Sequence, residues 1–281
     1  MRQSTLFFLL LLFPLLLTGQ APFPSKDEIK QFQQSKTCVV LETDQFSTFN
    51  SYIKKSMEAY WKITPYEFID AGAFELHRKE PGFSFITLSQ TTFEKDKSNS
   101  SFNFINLLQG KNVEKLGQMP EICAVPLSSV GDDDLDYGYK LGAILLFIQK
   151  HAQMISDDPT LTGRRYLRYY NKNIPQVGSK TILVKQEDLS SEISSPDKIK
   201  ALCSLKIEIV TEDEIVKAIE KKTPGTLILH KVGPGPDKSS GYCFKMLIGA
   251  DDSDMYYYNQ HIIDKENPDG LLPADLRRLV R

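Results

Sequence analysis

Four cysteines, four histidines and two short aspartate runs are where chemistry would have to begin in this chain. Cys38, Cys123, Cys203 and Cys243 show no Cys-x-x-Cys and no Cys/His spacing, so neither a zinc site nor a thioredoxin-type motif is expected. Cys38 and Cys123 lie inside apolar strand-like runs, where a small buried thiol is the simpler reading than a disulfide. Cys203 and Cys243, both in the second half, are the expected pair if one forms, and an exported chain permits it. His77, His151, His230 and His261 have no sequence neighbours resembling a triad or a metal motif, and no Gly-x-Ser-x-Gly turn is present. Asp132, Asp134 and Asp136 alternate as in a calcium loop. Tyr137 and Ala143, however, stand where an EF-hand needs Gly and Glu, and an acidic helix start explains the run. Asp251, Asp252 and Asp254 read as a turn. The loop Gly233 to Gly241 mixes glycine with Lys238 and Ser239 but lacks phosphate-loop order and leads into a strand, which makes it a hairpin turn. No catalytic, cofactor-binding or metal-binding residue is therefore predicted, and no cofactor.

The elements that would position these residues repeat. Lys36 to Leu41 is a short β-branched strand, Phe46 to Trp61 a helix with apolar residues three or four apart, and Tyr66 to Ile69 a second strand. Asp70 caps a short helix that Pro81 and Gly82 stop, and Phe83 to Leu88 and Phe102 to Leu108 follow as strands. From Lys180 the order returns. Lys180 to Val184 is a strand, Lys198 to Cys203 a helix, Lys206 to Val210 a strand, and Thr211 to Glu214 a capping box. Pro224 and Gly225 then stop a helix before strands Thr226 to His230 and Tyr242 to Ile248. The expected fold class is α/β: a mixed β-sheet protein with two similar β-α-β-α-β-β units joined by a helical segment. Between them lie a strand candidate, Ile122 to Leu127, and a wide apolar helix from Tyr137 to Ile155. The expected domains are residues 1–19, a signal peptide; 20–172, the first unit with its strand and helical connector; and 178–281, the second unit.

The signal peptide is read from Arg2, the apolar run Leu6 to Leu17 and small Gly19, with Gln20 standing where a lipoprotein would carry its acylated Cys. A periplasmic or extracellular protein is expected, without a lipid or transmembrane anchor after cleavage. Asn99, Ser100 and Ser101 form a sequon that matters only in a eukaryotic source. With 34 basic against 36 acidic residues, a nucleic-acid partner is disfavoured.

The strand, helix, strand-into-acidic-cap and hairpin order, Tyr66 to Asp70 and Ile207 to Thr211 above all, resembles the domain shared by the N-terminal part of TolB and by CsgG-type outer-membrane secretion proteins. That resemblance implies an envelope location, a mixed sheet and protein contacts rather than catalysis. The expected function is a noncatalytic exported interaction module holding an envelope protein. A small-ligand binder, or a hydrolase with a dispersed site, is the alternative. Tyr257, on the run Tyr256 to Tyr258, is the expected partner-contact residue, facing outward while Tyr256 and Tyr258 face the core.

Overall fold

A computed structural model describes residues 21–44, 46–93, 98, 100–163, 166–235 and 238–280. The expected signal peptide and Asn99 lie outside them. Helix α1 (Lys26–Gln34) starts at a reciprocal capping box, in which the Ser25 N–H donates to Glu28 and the Glu28 N–H to the Ser25 hydroxyl. Unit one continues through β1 (Lys36–Val40), α2 (Thr48–Tyr60), β2 (Tyr66–Ile69), α3 (Ala71–His77), β3 (Phe83–Thr92), β4 (Ser101–Gln109) and β5 (Glu121–Ser129). Helices α4 (Leu135–Gly138), α5 (Leu141–Asp157) and α6 (Tyr166–Tyr169), with a 3-10 stretch over Tyr170–Ser179, lead to unit two. There follow β6 (Thr181–Val184), α7 (Pro196–Lys200), β7 (Lys206–Ile209), α8 (Glu212–Glu220), β8 (Thr226–Val232), β9 (Tyr242–Gly249), β10 (Met255–Ile262) and α9 (Pro273–Leu279).

The two sheets have the same topology. Their strand orders are β2-β1-β3-β4-β5 and β7-β6-β8-β9-β10. In each, the leading strand runs parallel to both neighbours and two antiparallel hairpin connections complete the sheet. The repeated unit is thus one strand longer than the sequence order indicated, because Ile122 to Leu127 belongs to β5 and the tyrosine run to β10. The expected caps form: the Ala73 N–H donates to Asp70, and Glu214 reaches back to accept the Thr211 N–H.

One hydrophobic core serves both units. It joins Phe49, Ile53 and Met57 of α2 and the buried face of α5 to Ile215 and Ile219 of α8 and Phe244, Met246 and Ile248 of β9. Unit two therefore presents its α8 face to the α2 and α5 face of unit one, while α7 and α9 cover its opposite face. The copies pack head to tail, so equivalent faces do not meet. Being surrounded in this way is why α5 is apolar on almost every side. The helix expected from Tyr137 is broken at Tyr139 and Lys140. Gly138 and Gly142 flank the break, where a Cβ would lie 2.2 and 2.5 Å from the Tyr52 and Tyr60 rings of α2. Among the described residues no helix is long and apolar enough to cross a membrane.

Candidate functional site

The carboxyl ends of β6 and β8 meet unit one in a polar cluster. In open α/β sheets the strand ends around a switch in connection direction are where side chains from several loops converge. Here β6 leads out to β7 on one side and β8 lies on the other. Asp188 follows β6, and Asp269 reaches the same place through a short bridge in which Leu189 pairs with Leu271. Gly270, at φ +116°, permits that approach, since a Cβ there would lie 2.9 Å from the Ser190 nitrogen. Lys231 at the end of β8 donates to Asp269 at 2.8 Å. Lys140 comes from the α4/α5 break in unit one, is buried, and has Asp188 as its ion-pair partner at 3.5 Å. His230 Nε2 lies 2.9 Å from the Pro126 carbonyl oxygen on β5. Asp132 accepts the Ser129 N–H at 2.7 Å just beyond β5.

Burial sets the electrostatics of this junction. It lowers the Lys140 pKa against the pull of Asp188, and it takes His230 down to about 3, helped by the nearby Lys140 and Lys231 charges. Burial also raises the Asp132 carboxyl, with Asp136 and Asp269 acting in the same direction. Burial opposes the charge of Lys231 as well, but Asp269 and Asp188 hold its pKa above the usual lysine value. His230 is accordingly neutral at physiological pH. Five of the seven buried side-chain atoms without a hydrogen-bond partner among the described residues belong here: Ser129 Oγ, Tyr139 OH, Ser190 Oγ, His230 Nδ1 and Asp269 Oδ1.

A second buried network holds α9 on the outer face of sheet two, and it claims Tyr257. The Tyr257 hydroxyl and the Asn259 amide donate to Asp275 Oδ1, while Lys245 and the Leu272 N–H donate to Asp275 Oδ2. Lys245 also donates to His261 Nδ1 at 2.9 Å. Tyr257 is 1 % exposed, so the expected outward contact residue is a core residue. Two features defeat the expectation. The ladder slips between Met255 and Tyr257, putting Tyr256 and Tyr257 in the same apolar cluster with Tyr258 opposite, and both sheet faces are covered.

The remaining sequence candidates resolve into structure. All four cysteines are free thiols. The expected Cys203 to Cys243 bridge does not form, because Cys203 precedes β7 while Cys243 lies three strand positions away on β9. Three strand spacings come to roughly 14 Å, against a Cα limit near ~7 Å for a disulfide. Asp133 and Asp134 cap backbone amides, of Leu135 and of Phe49 in α2 respectively. Asp251 accepts the Gly225 N–H and Asp252 the Tyr256 hydroxyl, so the second aspartate run ties a turn to its surroundings. Among the described residues no group of three or more His, Cys, Asp or Glu could hold a metal ion. The glycine loop joins antiparallel β8 and β9, and Gly233 gives Asp269 room, since a Cβ there would lie 1.9 Å from Oδ1.

Among the described residues β2 is an edge strand of sheet one. The Thr37 and Leu41 N–H groups donate to the Pro65 and Ile69 carbonyls, so odd-numbered residues of β2 bond to β1 and the backbone groups of Tyr66 and Phe68 turn outward. Both side chains are half-buried, with ring centroids 5.7 Å apart. Comparison with protein families, with curated proteins and with solved structures finds no match.

Proposed function

We propose that this chain is a noncatalytic, exported interaction module of the cell envelope, and that it holds an extended segment of a partner protein along β2. The observation that carries this reading is the open edge itself. A strand at the end of a sheet offers a row of backbone donors and acceptors to another chain, and rings beside that row supply anchors. Tyr66 and Phe68 supply both at one place, the role expected of Tyr257. Burying one such ring contributes on the order of 1.5–3 kcal/mol with few torsions to freeze.

The experiment is capture from an envelope fraction by the mature chain, compared with Tyr66→Ala and Phe68→Ala. The captured protein should be lost from both variants while each retains a cooperative thermal transition. Capture that survives both substitutions would place the partner elsewhere.

A further inference from the structure

A groove of about 420 Å³ lies on unit two, lined by Glu192, Lys198, Ala201, Leu202, Pro273 and Arg277. That volume falls within the roughly 300–1,000 Å³ of small-molecule sites. Its walls come from separate segments. Glu192 stands on the 3-10 turn Ser191–Ile193 and Lys198 on α7, Ala201 and Leu202 follow α7, and Pro273 and Arg277 belong to α9.

The charges on this groove are not paired with one another. Among the described residues the Arg277 guanidinium and the Glu192 carboxylate have no hydrogen-bond or ion-pair partner. Lys198 Nζ donates to the Ser191 carbonyl at 2.7 Å and to the Ser194 hydroxyl at 3.2 Å. Those two bonds fix the ammonium on the segment that carries Glu192 and leave it one N–H. Leu202, 41 % exposed, joins Ala201 and Pro273 as the apolar part of the wall. Two cations, one carboxylate and an apolar surface therefore border one space, and the opposite charges do not neutralise each other across it.

We propose that this groove binds a zwitterionic amino acid with an apolar side chain. The planar Arg277 fork offers parallel N–H donors that match the two oxygens of a carboxylate, and Lys198 adds its remaining N–H. Glu192 accepts from the ligand's ammonium. Ala201, Leu202 and Pro273 receive the side chain, whose burial supplies the apolar share of the affinity. A simple anion would set its charge against Glu192, and a simple amine would meet two cations, so the zwitterion is selected over both. A free amino acid and a short peptide with both termini free share this chemistry. The site belongs to unit two and does not rest on the β2 reading.

The test is calorimetric titration and thermal shift of the full mature chain with L-leucine and with the dipeptide leucyl-leucine. N-acetyl-L-leucine, which lacks the ammonium, L-leucinamide, which lacks the carboxylate, and glycine, which lacks the apolar body, are the comparisons. Leucine, the dipeptide or both should bind saturably at one site per chain and raise Tm, and each comparison should bind at least roughly tenfold more weakly. Arg277→Gln should weaken binding of the zwitterion about tenfold and erase its advantage over leucinamide. Glu192→Gln should likewise weaken it and erase its advantage over N-acetyl-leucine. Both side chains are exposed, so the variants should keep the parent's unfolding transition. Binding of leucine marks the free amino acid as sufficient, whereas binding of the dipeptide alone marks a peptide. Absence of binding by both zwitterions, equal binding by the comparisons, or binding unchanged in either variant would overturn the assignment.

Discussion

Tyr257 illustrates how much a single hydroxyl can decide. It is one of four donors around Asp275, a carboxylate that Lys245 and these hydrogen bonds hold below its usual pKa despite burial. Tyr257→Phe keeps the ring and removes one donor, so it should cost about 1–3 kcal/mol in urea denaturation. Lys245→Met should cost more, about 3–5 kcal/mol, because it leaves a buried carboxylate without its counter-ion. Equal effects from the two would show that the ion pair has no special weight. Two buried histidines give a pH signature. His230 is depressed to about 3 and His151 to about 4, both chiefly by burial. Because these folded values lie below the unfolded value of about 6.5, the unfolded chain takes up the extra protons as the solution is acidified. Their stabilisation is full above pH ~6.5 and is lost as pH falls, with a slope of about 1.4 kcal/mol per pH unit for each histidine. Denaturation at pH 7, 6 and 5 should show this decline, and a flat profile would mean that both imidazoles protonate without unfolding.

At the scale of elements, the two Pro-Gly stops match in sequence and position but not in backbone. Gly225 sits at φ +65°, whereas Gly82 is not in the left-handed region, and neither would meet an atom within 4 Å if given a Cβ. Gly225→Ala should therefore cost roughly 1–2 kcal/mol through backbone strain alone, and Gly82→Ala no more than about 0.5 kcal/mol. Equal melting temperatures for the two variants would contradict that difference. Most elements were legible because their signals are local: the β-branched leading strands, the caps at Asp70 and Thr211, and the apolar period of α2. Helix α9 was not, since only its packing against β9 and β10 through Asp275 distinguishes it from a polar tail. The junction cluster was invisible for a related reason. Lys140, Asp188, Lys231 and Asp269 are scattered surface-type residues in sequence, and only the head-to-tail packing of the units buries them together. The burial of Tyr257 was not legible because the ladder slip between Met255 and Tyr257 breaks the strict alternation of the strand.

For the whole molecule, the shared core means that the two similar units are not energetically separate. The faces of α2, α5, α8 and β9 bury one another, so unfolding either unit exposes the other's core. Chemical denaturation should give one cooperative transition, and residues 178–281 expressed alone should lack a sharp one. A stable, cooperatively folding excised unit would contradict this coupling. Among the described residues β2 is an edge strand of sheet one, with its outward backbone groups carried by Tyr66 and Phe68.

Amide hydrogen exchange of β2, with and without the protein recovered by envelope capture, tests the central claim most directly. In the free chain the Tyr66 and Phe68 amides should exchange fast while those of Glu67 and Ile69, bonded to β1, exchange slowly. On adding the partner, the Tyr66 and Phe68 amides should become protected as a new strand pairs with the edge. Unchanged exchange at these two amides, with protection appearing on another surface, would contradict the account.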